Sequence, residues 1–513
     1  MPGDLGKVGP WIIDSGHVSP RRRMTQPYHL CHQALTAVFV FALRTSAALA
    51  SESTMVGEDP RVVDAVTLWS EWMRYDASIQ RVPAVSWGVV HDQELVASGA
   101  FGLANPETGR EATTDTRYSI CSISKLFTSV ALMQQREAGR VRLDAPVADY
   151  LDWFNIEDVH GDDEPITVRG ILTHSSGLPR ESDYPYWTDP DYPFPTQAQI
   201  RERLGEQQTL YPSSRYWQYS NLGLTLVGEI VEAVAEQPYD AYMREHLLDP
   251  LGMEDTTTDM PLDLRGEELA IGHTALKRDG KRDVVAPYQA RGIAPAAGYA
   301  STVNDLARFA SWQFRTLDGE GDGLLKASSL REMQRVHWVD PDFEMTWGLG
   351  FSVRREGDRT FARHGGGCPG YYTEFRLEPA TKLGVIVLTN TIGSTPGRYA
   401  AQAFEVIAPV IEQVLDSDAA IERQQSFAAY AGVYSSIWGQ TLIVPWEDGL
   451  ALLELETSTP AESMETLRHV EDHTFRRVRS DGTLGEVVAF ELDEDGVARR
   501  MKRHSIYMER LED

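Results

Sequence analysis

Positive charge is what this 513-residue sequence most lacks: 48 lysines and arginines stand against 76 aspartates and glutamates, a net charge of -28. So acidic a surface repels phosphate backbones and anionic lipids, which argues against nucleic acid as a partner. Long apolar runs are lacking too. The longest, Ala34 to Leu43, is too short to span a bilayer, so no stable membrane insertion is expected. Cysteine is scarce, with Cys31, Cys121 and Cys368 the only three, and there are no internal repeats or low-complexity tracts.

What is present starts with a targeting pattern. Arg21, Arg22 and Arg23 precede the Ala34 to Leu43 run, and Ala48-Leu49-Ala50 makes an A-x-A cleavage site. The pattern predicts a leader and signal over residues 1–50, a mature chain from near Ser51, and export to a periplasmic or extracellular space. A start at Met24 is the alternative, and it would drop the arginines. No lipid-attachment box surrounds Cys31.

The remaining length exceeds what one core usually organises, and 42% hydrophobic residues can fill more than one. Residues 55–415 read as one domain, 416–425 as a linker and 426–513 as a small separate β domain. In the first, apolar spacing predicts helices over Pro60 to Ser78, Ser122 to Ala138, Leu222 to Ala235, Tyr239 to Leu248 and Arg398 to Leu415. Strands are expected over Val85 to Val90, Leu95 to Ala100, Gly348 to Val353, Thr360 to His364, Tyr371 to Leu377 and Leu383 to Thr389. That order fits an α+β fold: an antiparallel sheet built from both chain ends, flanked by helices, with a helical insertion. The tail, with short alternating strands such as Gln440 to Val444, Leu450 to Leu455 and Val487 to Leu492, reads as a small sheet or barrel.

Three motifs carry chemistry. Ser122-Ile123-Ser124-Lys125 is S-x-x-K at a helix start, a spacing that sets the lysine amine one turn from the serine hydroxyl, where it could take the proton. The helix N-terminus adds positive potential that depresses the lysine pKa. Tyr219-Ser220-Asn221 precedes a second helix. A Tyr219 of lowered pKa could shuttle protons, and Asn221 could bond a substrate amide. Arg363-His364-Gly365-Gly366-Gly367 ends a strand, and its glycines would let substrate approach the backbone, with the Gly367 and Ser122 amides as an oxyanion hole. Each alone is weak, since a capped helix or a flexible turn explains it equally well.

Together and in this order, S-x-x-K, Y-x-N and H-x-G resemble the signature elements of serine β-lactamases and penicillin-binding proteins, in the class C-like branch that includes related esterases and D-aminopeptidases. Val141 to Val147, Leu172 to Pro179, Pro250 to Met253, and Ala297 to Thr302 leading to Asp305-Leu306-Ala307 resemble the same family, so the likeness runs from Arg61 to Leu415. The Tyr430-Ala431-Gly432-Val433-Tyr434 opening looks like the lipocalin-like barrel appended to some of its peptidases.

The resemblance implies a serine hydrolase with Ser122 as nucleophile, Lys125 and Tyr219 as proton-transfer partners, Asn221, His364 and Gly366 contacting substrate, and no metal or organic cofactor. Where β-lactamases of this family typically carry K-T-G, His364 and Gly365 offer neither a fixed charge nor a hydroxyl for a substrate carboxylate. An ester, amide or D-amino-acid peptide, or a peptidoglycan-derived fragment, is therefore expected over a β-lactam or a D-Ala-D-Ala terminus. A receptor that is acylated without turnover remains the non-enzymatic alternative.

Other signals are set aside. His364-Gly365-Gly366-Gly367 lacks the G-x-S-x-G that lipases with HGGG need. Lys382-Leu383-Gly384 reads as a hairpin turn, Asp318 to Gly323 as a surface turn whose twelfth position is Ser329 instead of a calcium-binding glutamate, and His469 with His473 as no zinc motif. His174 is assigned to a helix end without catalytic role. Cys121 and Cys368 are expected as two unpaired buried thiols, the first pointing into helix packing.

Overall fold

Helix α1 (Pro60–Ile79) begins where the Asp59 side chain accepts the Arg61 N–H and proline takes the first helical position. This lies in a computed structural model that describes residues 56–161, 164–416 and 425–512. The expected leader and signal, and nearly all of the 416–425 connection, fall outside the described residues.

The α1 face that carries Trp69 and Trp72 is buried on an antiparallel sheet of nine strands. In chain order these are β1 (Ala84–His91), β2 (Glu94–Asn105), β3 (Arg110–Glu111), β4 (Trp338–Val339), β5 (Thr346–Trp347), β6 (Ser352–Glu356), β7 (Arg359–Cys368), β8 (Tyr371–Glu378) and β9 (Leu383–Thr389). They lie in the order β3-β2-β1-β9-β8-β7-β6-β5-β4. The two ends of the domain meet in the centre, where β1 pairs with β9 from Val85 opposite Thr389 to His91 opposite Leu383. Strand periodicity explains why β9 is buried along its whole length. Leu383, Val385 and Val387 face the core shared with α1, while Ile386 and Leu388 face the opposite core, which holds α2 (Ser124–Glu137) and α5 (Val303–Asp318). Between the strands of the two ends lie those helices together with α3 (Val168–Leu172) and α4 (Asn221–Ala235). The α+β architecture expected from the sequence is the one observed.

Two elements differ from expectation. The closing helix is broken into α6 (Pro396–Val406) and α7 (Ala408–Asp416), because Pro409 has no N–H to continue the ladder to Glu405. The strand expected from Gly348 starts only at Ser352. Gly350 sits at φ 82° just before it, and a Cβ there would lie 2.1 Å from Ser129 Oγ.

From Gln425 onward the chain forms a closed barrel of eight strands: β10 (Gly432–Ser436), β11 (Gly439–Trp446), β12 (Gly449–Glu454), β13 (Glu465–Glu471), β14 (Thr474–Val478), β15 (Leu484–Leu492), β16 (Ala498–Arg503) and β17 (Ile506–Arg510). Its interior is filled by side chains including Tyr434, Leu452, Phe475, Phe490 and Met501. Its outer face is not free on all sides. Leu442, Val444, Ala451 and Leu453 join the core that contains Trp69 and Trp72, and Trp72 Nε1 donates to the Thr457 carbonyl at 2.9 Å. The barrel is thus seated on the α1 side of the sheet, across from the face that carries α2.

Candidate active site

The site forms where the sheet stops pairing. Strand β6 accompanies β7 only from Glu356 opposite Arg359 to Ser352 opposite Arg363. From His364 on, β7 keeps β8 as its neighbour, and its other side opens on a cleft of about 1320 Å³. Ser122, Tyr219, Asn221 and the stretch His364 to Cys368 all line that cleft, so the three motifs converge.

Ser122 lies in a tight turn, Cys121–Ile123, which leads into α2, so the regular helix begins at Ser124 and not at Ser122. Lys125, on the first turn of α2, is fully buried. Its Nζ is 3.0 Å from Ser122 Oγ, 2.8 Å from Asn221 Oδ1 and 2.7 Å from the Ala296 carbonyl. Burial holds its pKa well below that of an ordinary lysine; the nearby Glu181 charge works against this and Arg180 adds to it. The dominant cause is therefore desolvation, not the helix terminus the motif first suggests.

Tyr219 lines the cleft together with Ser122, and its ring is covered by Lys125 Nζ at 4.8 Å and by the Arg180 guanidinium at 4.9 Å. The expectation of a lowered phenol pKa is corrected here: burial pushes it up, outweighing the lowering influence of Ser122 and Arg180. Tyr219 rests as a neutral phenol, able to give a proton but a poor base.

Beneath Tyr219 lies His174, the residue set aside in the sequence, with ring centroids 4.4 Å apart. Its Nδ1 accepts the Ser220 N–H at 3.2 Å, so its proton sits on Nε2. Burial, chiefly, holds its pKa well below the usual value, which removes the charge expected at a helix end. His364 is the mirror case. Its Nδ1 donates to the Gly365 carbonyl at 2.7 Å, and burial followed by the Lys125 charge lowers its pKa to about 3. Trp347 packs edge-on against both imidazoles, at 5.0 Å from His174 and 5.7 Å from His364.

Two of the expected substrate contacts are placed differently. Asn221 has both ends of its amide engaged within the protein: Oδ1 faces Lys125, and Nδ2 donates to the Glu181 carboxylate at 2.9 and 3.1 Å. Its amide is thus positioned by protein groups at both ends, and its oxygen supports Lys125. Gly366 is buried, and a Cβ there would lie 2.3 Å from the Ile120 carbonyl, so this glycine lets β7 approach the turn that carries Ser122. Gly365 and Gly367 face the open side.

The cysteine expectation is overturned. Cys121 and Cys368 form a disulfide with Cα atoms 5.7 Å apart. Cys121 has φ 49°, which turns its side chain toward β7 and out of the helix packing that a regular helix would impose. The bridge joins the residue before Ser122 to the residue after Gly367, the two whose amides were assigned to the oxyanion hole.

Three cations line the cleft, and each meets a carboxylate: Arg180 with Glu181 at 3.1 Å, Lys277 with Asp283, and Arg398 with Asp76. The remaining lining includes Trp187, Tyr192, Trp217 and Tyr372.

Comparison with known proteins agrees with the fold. The Beta-lactamase family model matches residues 69–408. The Beta-lactamase-like protein 2 of Dictyostelium discoideum is 28% identical over 333 residues, 64% of this chain and 59% of its own length, so the chain spans well under two thirds of that relative. Penicillin-binding protein 4 of Amycolatopsis lactamdurans is 27% identical across 63% of this chain and 84% of its own. Among solved structures, the octameric penicillin-binding protein homologue from Pyrococcus abyssi superimposes with a TM-score of 0.59 at 22% identity, over 86% of this chain and 99% of its own. With the family model covering well over half of its length and the three motifs gathered in one cleft, this chain belongs to the Beta-lactamase family.

Proposed function

We propose that this protein is a serine hydrolase that cleaves an ester or amide bond, of the esterase or D-amino-acid peptidase kind, through an acyl-enzyme on Ser122. One observation carries the reading: a fully desolvated Lys125 amine 3.0 Å from the Ser122 hydroxyl, whose burial lowers its pKa well below that of an ordinary lysine and so favours the unprotonated base.

The sequence of steps follows from the proton positions. Lys125 Nζ takes the Ser122 proton as Oγ bonds to the acyl carbon, and the amides of Ser122 and Gly367 receive the negative charge that develops on the carbonyl oxygen. Collapse expels the leaving group, which takes the Tyr219 phenol proton, and the Lys125 ammonium restores that proton to Tyr219. A water then attacks the acyl carbon, passing its proton through Tyr219 to Lys125. Ser122 Oγ leaves and recovers the proton, and the acid is released.

The substrate class rests on charge. A neutral His364, and cations that each already meet a carboxylate, offer a substrate carboxylate less than a dedicated unpaired charge would, which supports an uncharged ester or amide over a β-lactam or a D-Ala-D-Ala terminus. Aromatic lining supports an apolar acyl or leaving group. The disulfide supports export to an oxidising compartment. The receptor reading draws on one observation, the raised Tyr219 pKa, which weakens the group best placed to activate water.

The test is parallel assay of p-nitrophenyl esters, D-Ala p-nitroanilide and a chromogenic cephalosporin, with Ser122→Ala as control. Steady turnover of ester or anilide above cephalosporin, lost in the control, is expected. A burst without turnover on all three would establish the receptor instead.

A further inference from the structure

A neutral lysine amine has two N–H groups and one lone pair, whereas Lys125 Nζ has three neighbours. The Ala296 carbonyl at 2.7 Å can only accept, so it takes one N–H. Asn221 Oδ1 at 2.8 Å takes the other, which leaves the lone pair for the Ser122 hydroxyl at 3.0 Å. The arrangement works for one orientation of the Asn221 amide only. Rotated by half a turn, the amide would aim Nδ2 at Lys125, and its N–H would occupy the lone pair that Ser122 needs.

The amide is held by Glu181. Asn221 Nδ2 lies 2.9 and 3.1 Å from its two carboxylate oxygens, which can only accept, so a reversed amide would set Oδ1 against an anion. Glu181 is itself fixed by the hydroxyl of the buried Tyr186 and by Arg180 Nε at 3.1 Å. Tyr186 is wedged between Trp187 and Phe194, with ring centroids at 5.3 and 4.9 Å. The loop and helix are tied as well, because the N–H groups of Asn221 and Leu222 both reach the Arg180 carbonyl, at 2.7 and 3.2 Å.

We propose that Glu181 is a positioning residue of this site: it fixes which end of the Asn221 amide faces Lys125, and thereby directs the amine lone pair at Ser122. The proposal rests on the hydrolase reading above. The titratable and charged groups around Lys125 are Glu181, Arg180, His174, His364 and Tyr219. Two neutral imidazoles and a phenol leave the Arg180 and Glu181 charges to offset each other, so removing Glu181 tips the balance toward the neutral amine while freeing the amide to turn.

The experiment uses the whole protein with Glu181→Gln, Asn221→Ala and the double variant. It reads the rate of Ser122 phosphonylation by a fluorophosphonate, kcat and KM on p-nitrophenyl acetate, and the pH profile of both. Glu181→Gln is expected to slow phosphonylation and kcat by about 10- to 100-fold with KM within about twofold, since it disables a general base without removing it. The acid limb should move to lower pH, because the carboxylate that favours the lysine ammonium is gone, a shift a purely structural residue would not produce. In the Asn221→Ala background the same change should add less than about threefold, because the two act as a unit. An equal loss in both backgrounds, or a rise in KM alone, would make Glu181 an independent substrate contact and overturn the proposal. Should Glu181→Gln lower the melting temperature, Tyr186→Phe loosens the carboxylate while keeping its charge. It is expected to slow phosphonylation severalfold, and no change there counts against the proposal. A wild-type protein neither active nor labelled at Ser122 defeats the hydrolase reading and this inference with it; a labelled wild type with an unaffected Glu181→Gln defeats this inference alone.

Discussion

The interior of the barrel and the interior behind the cleft obey different rules. In the barrel every fully enclosed position is apolar or a tyrosine with its hydroxyl bonded, as Tyr434 is to the Tyr430 carbonyl at 2.8 Å, and Thr441 is the one buried polar side chain among the described barrel residues. Behind the cleft the same degree of burial is imposed on Lys125, His174, His364, Asn221 and Ser124. Burying such groups costs stability unless they are paired, and Nε2 of both imidazoles has no hydrogen-bond partner among the described residues. The difference separates a region built for packing from one that holds groups away from their preferred protonation state, and the second pattern marks chemistry.

The sharpest break between the regions should come from Ser122→Ala. It is expected to reduce ester turnover by about a thousandfold or more while leaving the melting temperature within a few degrees, as followed by thermal denaturation. The reverse pattern is expected on the barrel side. Trp72→Ala removes a fully buried indole and its bond to Thr457, and should destabilise by about 3–5 kcal/mol with kcat of the folded protein nearly unchanged. Denaturant titration with activity measured on the native baseline checks both. Loss of catalysis in step with stability would mean the barrel contact shapes the site.

Opening the Cys121–Cys368 bridge should touch both properties, because it closes a loop of 247 residues and joins the neighbours of the two proposed oxyanion amides. Cys368→Ser is expected to cost about 2–4 kcal/mol of stability and, by loosening donor geometry, about tenfold in kcat. Activity indifferent to the substitution would detach the bridge from the oxyanion hole.

A further effect, on stability alone, is expected in acid. His174 and His364 stay neutral in the fold, so below an unfolded pKa near 6.5 the unfolded chain binds protons that the native state does not. Stability should therefore fall as pH drops below about 6.5, for His364 down to about 3, by up to about 1.4 kcal/mol per pH unit for each imidazole. His364→Asn should flatten that slope in chemical denaturation at several pH values. An unchanged slope would contradict the assignment of His364 as neutral.

How much of this was legible beforehand follows the range of the interactions. The Ser122 and Lys125 pairing is a one-turn property of a helix, and the resemblance of the motifs brought in Tyr219 and His364. The short β-rich run Leu383 to Thr389, bounded by turn residues, showed the central strand at the bounds the structure has. Glu181 was not legible, because its bond to Asn221 spans 40 residues and nothing around either residue signals it. His174 was misjudged by treating it as a partly charged helix end, when Trp217, Tyr219 and Trp347 pack around it. The disulfide was missed because the left-handed φ of Cys121 reverses a side-chain direction that helical geometry would predict. Each miss is a tertiary contact overriding a local rule, and all three lie at the site, where such overrides concentrate.

The central claim is that burial makes Lys125 a neutral base for Ser122. The most direct measurement is the rate of Ser122 phosphonylation by a fluorophosphonate from about pH 4 to about pH 11. The account predicts a rate already near its plateau at neutral pH, with its midpoint far below the 10.5 of an ordinary lysine. A rate that keeps climbing through pH 10 would show Lys125 charged at neutral pH and contradict the account.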